Sequence, residues 1–173
     1  MLDRTSGEVL DRRHIDPGNV LMHPDRPLLY LSFFRNSNRL MAYDMTRREV
    51  VREVPTDARA DRMTFWAGRG ELLLASPLHS QVLRFDAETL QPRGSIRTVF
   101  GVRVMALDAQ RGLMLAASLA TGQLAVIDQD SGQTRRTFYL GPWLRTIALD
   151  EASGTAYVSS QDRLYEVRYG GLH

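Results

Sequence analysis

Lysine and cysteine are both missing from this chain of 173 residues. Every one of its 22 basic residues is arginine, so no lysine is present to form a Schiff base, serve as a nucleophile or hold phosphate in a P-loop. Without cysteine, thiol catalysis, thiolate-ligated zinc, iron–sulfur clusters and covalent c-type haem are excluded, while the redox compartment is left undetermined. Long apolar runs are absent as well, and nothing nears the roughly 18 residues that a membrane helix needs. The opening Met1-Leu2-Asp3-Arg4-Thr5-Ser6 is polar and lacks the charged-then-apolar order of a secretory signal. No Ser–His–Asp order, H-E-x-x-H, glycine-rich phosphate loop or paired-carboxylate motif occurs. The formal net charge is only +2, which does not by itself point to a nucleic-acid partner.

What the chain does have is a repeat. Val20-Leu21-Met22-His23-Pro24, Arg62-Met63-Thr64-Phe65-Trp66, Val104-Met105-Ala106-Leu107-Asp108 and Thr146-Ile147-Ala148-Leu149-Asp150 begin 42 residues apart. Asp44, Asp86 and Asp128 keep that spacing, as do Phe34, Ser76, Ser118 and Ser160. Each module carries four short β signals. First strands are expected over Val20 to Met22, Met63 to Phe65, Val104 to Leu107 and Ile147 to Leu149. Second strands are expected over Leu28 to Ser32, Leu72 to Ser76, Leu113 to Ala117 and Ala156 to Ser159. Third strands follow over Leu40 to Tyr43, Val82 to Phe85, Leu124 to Ile127 and Leu164 to Val167. These are apolar almost without alternation, as strands covered on both faces should be. The fourth strands, Glu49 to Val54 and Gln133 to Phe138, mix charge with β-branched residues and so suit a guarded outer edge.

Gly and Pro mark the turn between first and second strands in every module, for example Pro24-Asp25-Arg26-Pro27 and Ala67-Gly68-Arg69-Gly70. Between third and fourth strands an aspartate opens the turn and a hydroxyl follows: Asp3 with Ser6, Asp44 with Thr46, Asp86 with Thr89, Asp128 with Ser131. Such side chains bond backbone N–H groups two or three residues on, so a structural role is expected of them rather than a catalytic one.

A four-stranded unit of this length is the mark of a β-propeller blade, which cannot hide both faces alone and needs neighbours to cover it. One all-β domain is therefore expected over residues 1–173, with four 42-residue blades of four antiparallel strands at about 19–60, 61–102, 103–144, and 145–173 joined to 1–18. In that arrangement an N-terminal outer strand at residues 7–15 completes the last blade and closes the ring. Two alternatives stand beside it: part of a larger ring with upstream blades, or two chains forming one eight-bladed ring. Leu2-Asp3-Arg4-Thr5-Ser6-Gly7 matches Ile127-Asp128-Gln129-Asp130-Ser131-Gly132, so the chain begins inside a module.

The repeats resemble the YVTN-type propellers of bacteria and archaea. The residues that carry the resemblance are Ile147-Ala148-Leu149-Asp150 with Ala156-Tyr157-Val158-Ser159-Ser160, Leu28-Leu29-Tyr30-Leu31-Ser32, and Ala125-Val126-Ile127-Asp128-Gln129-Asp130-Ser131-Gly132. No Trp-Asp pair ends a third strand, as it would in WD40 repeats, and no Gly-Gly pair precedes a strand, as it would in kelch. The resemblance implies a binding or scaffold protein more than an enzyme, and a periplasmic or cell-surface location. The absence of an export signal and the small number of repeats depart from that pattern.

In a propeller, the loops leading into each first strand gather around the channel with those between second and third strands, and that face is where a ligand is expected. Equivalent positions before the first strands are Asn19, Asp61, Arg103 and Arg145, a small polar ring whose two arginines favour an anion. Arg62, Trp143 and Tyr139 lie nearby and offer a stacking surface. The competing reading is that these groups bond neighbouring blades and satisfy backbone carbonyls. Asn36, Asn38 and Asp162 are oxygen donors in the second loop set, too few in carboxylates for calcium. His14, His23, His79 and His173 occupy different repeat positions, which argues against a shared metal site.

Arg12-Arg13, Arg52, Arg93 and Arg135-Arg136 on expected outer strands form a basic belt, read as an edge guard interrupted by Asp11, Glu49 and Glu53 more than as a nucleic-acid surface. The function expected is a noncatalytic module, binding a protein or a small anionic ligand and needing no cofactor, with a homodimer as one mode of assembly. A metal-dependent propeller hydrolase or lactonase, with Asn19 and Asp61 holding the ion, is the rival.

Overall fold

The computed structural model describes residues 6, 18–33, 38–56 and 62–171. Over these the chain is all β, with two short 3-10 turns and no α-helix. The first sheet holds β1 (Asn19–Met22), β2 (Leu28–Phe33), β3 (Arg39–Asp44) and β4 (Glu49–Pro55). The second holds β5 (Met63–Trp66), β6 (Glu71–Ser76), β7 (Gln81–Asp86) and β8 (Pro92–Arg97). The third holds β9 (Val102–Asp108), β10 (Leu113–Ser118), β11 (Gln123–Asp128) and β12 (Thr134–Tyr139). The fourth has three described strands, β13 (Thr146–Asp150), β14 (Thr155–Ser159) and β15 (Leu164–Arg168). Every sheet is a plain antiparallel meander whose strands pair in chain order. The outer strand expected at residues 7–15, with Arg12 and Arg13, lies outside the described residues.

Strand pairing corrects the repeat by one position at its start. Val20 pairs with Leu31, and the same place in the second sheet is held by Met63 and Leu74, 43 residues on. The third strands keep the 42-residue step, Tyr43 opposite Leu29 and Phe85 opposite Leu72. The difference arises in one loop: residues 34–38 separate paired Phe33 and Arg39, whereas four residues separate Ser76 and Gln81. Phe33, not Phe34, therefore corresponds to Ser76. Gly18 corresponds to Arg145, and both donate their backbone N–H to the second strand, to Ser32 and Ser159 respectively, at 2.8 Å. Asn19 takes the place of Arg62.

Consecutive sheets lie face to face because their inner strands are apolar on both sides. β6 and β10 are buried along their whole length. Tyr30, Leu40 and Ala42 of the first sheet meet Met63, Leu72, Leu74 and Phe85 of the second. Trp66, Leu73 and Val82 on the second sheet's other face meet Met105, Met114 and Ile127 of the third. Leu115, Leu124 and Val126 meet Ala156, Val158 and Val167 of the fourth. First strands follow the same order, β1 beside β5, β5 beside β9 and β9 beside β13, while β13 and β1 make no comparable approach. The two end faces are open in part: Val20 and Met22 are exposed on the first sheet, and Tyr157 and Leu164 on the fourth.

The outer strands carry a device that the repeat did not reveal. In each of the first three sheets the pairing of third with fourth strand slips by one residue, at Ala42/Tyr43, Arg84/Phe85 and Val126/Ile127. A bulge there twists the edge away from further pairing, and Pro55 and Pro92 at strand ends add to that effect. The described outer arginines are engaged locally. Arg52 donates to the Glu88 carbonyl, Arg93 pairs with Asp86 at 2.7 Å, Arg135 pairs with Asp128, and Arg136 lies 4.8 Å from the Phe138 ring centroid.

The expected aspartate turns are present at Asp44, Asp86 and Asp128, and Asp3 lies outside the described residues. Asp86 Oδ1 accepts from Glu88 N, Thr89 N and Thr89 Oγ1 at 2.8 to 3.0 Å, and Asp128 Oδ1 accepts from Asp130 N, Ser131 N and Ser131 Oγ at 2.8 to 3.1 Å. The Arg93 guanidinium and the Thr89 donors hold the Asp86 carboxyl far below the usual range, and the Ser131 donors with Arg135 do the same for Asp128. A folded-state pKa below the unfolded one contributes stability that is present above the unfolded value of about 3.9 and is lost as pH falls.

One buried polar cluster ties the third sheet to the fourth. Asp108 is fully buried and accepts from Tyr169 Oη at 2.8 Å, Arg111 N at 2.9 Å and Arg111 Nη1 at 3.0 Å. Arg111 also donates to the carbonyls of Glu151 and Ala152 in the β13–β14 turn. Burial works to raise the Asp108 pKa, but the Tyr169 and Arg111 donors outweigh it and hold the carboxyl ionised below the ordinary range. Burial and the facing carboxylate push the Tyr169 phenol upward. Replacing Tyr169 by Phe should cost about 2 kcal/mol in urea unfolding, the loss of one buried hydrogen bond to a charge. Urea midpoints should change little from pH 7 to 5 and fall below about pH 4, and Asp86→Asn with Asp128→Asn should flatten that acid limb.

Candidate functional site

Three arginines meet at the end of the sheets where each first strand begins. Arg62 precedes β5, Arg103 lies at the start of β9 and Arg145 precedes β13. Together with Leu119 and Thr146 they line one pocket of about 250 Å³. Arg103 and Arg145 are one 42-residue module apart, and Arg62 stands one position further along its own module; all three meet because adjacent first strands begin side by side. Arg62 and Arg145 are exposed and Arg103 is half-buried. Among the described residues, neither Arg62 nor Arg145 has a side-chain acceptor. Like-charged guanidiniums that share a pocket raise its local potential and attract an anion, while forked N–H groups match phosphate or carboxylate oxygens.

Of the expected ring, then, Arg62, Arg103 and Arg145 come together. Asp61 lies outside the described residues. Asn19 is half-buried at the start of β1, paired across to Ser32, and does not line the pocket. The extra residue in the β2–β3 loop puts Gly18 where Arg103 and Arg145 stand in later modules, and Asn19 where Arg62 stands. Leu119 and Thr146 were not anticipated. Leu119 comes from the loop after β10 and Thr146 opens β13, and they face the arginines only once the sheets are stacked.

Trp143 lines a second, larger cleft of about 600 Å³ with Tyr139, Pro142, Gln161, Asp162 and Arg163. This cleft exists because one loop is short. Six residues lie between the paired Ala117 and Leu124, but only four, residues 160–163, between the paired Ser159 and Leu164. The two sites adjoin, since Trp143 N donates at 3.0 Å to the carbonyl of Leu119, a wall of the arginine pocket. Ser160 supports the short loop, its Oγ accepting from Arg163 N at 3.1 Å.

The other expected donors are scattered. Asn36 and His14 lie outside the described residues, as does His173, and Asn38 spends its carbonyl on Thr56 N. His79 Nδ1 is 3.2 Å from Ser76 Oγ, and His23 Nδ1 accepts from Asp25 N at 3.0 Å beside the Phe65 ring. No group of three or more His, Cys, Asp or Glu is placed to hold a metal ion among the described residues. No helix there is long and apolar enough to cross a membrane.

No protein-family model and no curated protein matches this sequence. Among solved structures the chain is similar to Sqt1 of Saccharomyces cerevisiae, with a TM-score of 0.81 at 8% identity over 99% of this chain and 53% of that one. It is also similar to hydrazine synthase of Kuenenia stuttgartiensis, with a TM-score of 0.75 at 14% identity over 93% of this chain and 49% of that one. The chain spans about half the length of each. At these identities the likeness is one of fold.

Proposed function

We propose that the four sheets are successive blades of a β-propeller, of the YVTN type that the repeats resemble, and that the chain is a noncatalytic module binding a small anionic ligand at the mouth formed by Arg62, Arg103 and Arg145. The single observation that carries the binding reading is the convergence of those three guanidiniums on one pocket. The regular succession of meander sheets, with first strands side by side, supports the propeller reading. Exposed Tyr157 and Leu164 on the fourth sheet support a larger or shared ring over four-bladed self-closure, although Leu31, Phe33 and Met41 on the end face of the first sheet are buried.

The metal-dependent hydrolase draws less support. A divalent cation needs oxygen or nitrogen ligands and is repelled by arginines, and three of them line this mouth. The outer arginines, taken up by Asp86, Asp128 and a backbone carbonyl, are poorly disposed to form a nucleic-acid surface.

Titration calorimetry with pyrophosphate in low salt tests the ligand reading. Binding should weaken as salt rises, and Arg62→Ala or Arg145→Ala should each reduce affinity about tenfold, the worth of a charge-assisted bond. Unchanged affinity in the double variant would sink it. For assembly, equilibrium sedimentation should return the mass of two chains, and a monomer at all concentrations would count against a shared ring.

A further inference from the structure

Two neighbouring modules solve the same backbone problem with opposite residues. The linker between the second and third sheets passes through Gly101, at φ 73°, and the linker between the third and fourth passes through Trp143, at φ 66°. The positions are equivalent. Gly101 N donates to the Pro77 carbonyl at 2.9 Å and Trp143 N to the Leu119 carbonyl at 3.0 Å, with donor and acceptor each one 42-residue step apart. Left-handed backbone is natural for glycine and strained for a bulky side chain. A tryptophan there is held against its own preference.

About half of that indole stands open to solvent. Trp143 is 51% exposed, whereas Trp66 in the core is 6% exposed. Its neighbour Leu144 is fully buried and anchors the linker. Upstream, Leu140 N donates to the Gly122 carbonyl at 2.9 Å. Gly122 sits so close to Gly141 that an added Cβ would lie 2.2 Å from the Gly141 carbonyl oxygen. The linker is therefore clamped on both sides of Trp143, and a rigid aromatic surface faces the cleft opened by the short β14–β15 loop. Tyr139, 75% exposed, stands at the same cleft.

We propose that Trp143 and Tyr139 form a stacking subsite for a flat ring whose attached anionic group lies among Arg62, Arg103 and Arg145. The ligand class is a ring-bearing phosphate of mononucleotide size. Stacking needs exposed, preorganised π faces and no particular base, and Gln161 and Asp162 at the cleft wall supply hydrogen-bonding groups for ring edges or sugar hydroxyls. Trp143 of the cleft and Arg145 of the arginine pocket stand two residues apart on one linker, about 7 Å of chain, a span that a molecule of mononucleotide size covers. This rests on the anion-binding reading of the arginine mouth and adds the ring to it.

The chain's two tryptophans make the test direct, since only Trp143 is accessible. ADP, pyrophosphate and adenosine are titrated separately, following tryptophan fluorescence and heat. ADP should quench the exposed tryptophan and bind about tenfold or more tighter than pyrophosphate, and adenosine should quench weakly. Trp143→Gly should bring ADP affinity down to that of pyrophosphate, leave pyrophosphate binding intact and raise the melting temperature, because glycine relieves the left-handed strain. Trp143→Phe should keep the preference for ADP. Equal affinities for ADP and pyrophosphate with unchanged fluorescence would overturn the stacking subsite while leaving the anion site standing. Failure of both to bind would remove the two together, and a lower melting temperature for Trp143→Gly would refute the premise that the indole is held under strain.

Discussion

Face-to-face burial of one sheet on the next is the constraint on which everything else in this molecule depends. A short meander of β-branched and leucine-rich strands has two apolar faces and cannot satisfy both alone. Leu72 and Leu74 turn to the first sheet while Leu73 and Ala75 turn to the third, so a single strand serves two cores. Alternation along β6 and β10 thus fixes the order of the sheets. The order of the sheets fixes which linkers share a rim, and the rim is where the arginines meet.

Polar groups hold what the apolar faces cannot specify. Buried Asp108 and Gln129, with Tyr169 and half-buried Arg111, form a bonded cluster in which Arg111 donates to the Glu151 carbonyl and so ties the third sheet to the turn of the fourth. Aspartate turns and bulged outer strands do a different task at the perimeter, ending the pairing so that the sheets grow no further. Among the described residues the first three sheets are therefore closed along their outer edges, while the fourth sheet exposes Tyr157 and Leu164 on its end face.

Much of the architecture was legible in the residues because a repeat supplies its own controls. Asp44, Asp86 and Asp128 marked one turn three times, and the third strands fell where their apolar runs stood. The register of the first module was misread because the loop after Phe33 is one residue longer, and apolar residues on both sides of β2 allow either phase. Arg103 and Arg145 were legible as equivalents. The cleft beside Trp143 was not, although its signal was present: Leu164 follows Leu124 by 40 residues rather than 42.

The amino-acid order alone determined the β character, the four-strand module and its turns, since each depends on neighbours close in the chain: short unbroken apolar runs, aspartate turns, Gly and Pro at tight bends. Only the tertiary structure decided that Arg62, Arg103 and Arg145 share one pocket and that Trp143 stands exposed on left-handed backbone. Those facts depend on how far one sheet rotates against the next and on which loop falls two residues short, and these distances are set by packing between segments some forty residues apart.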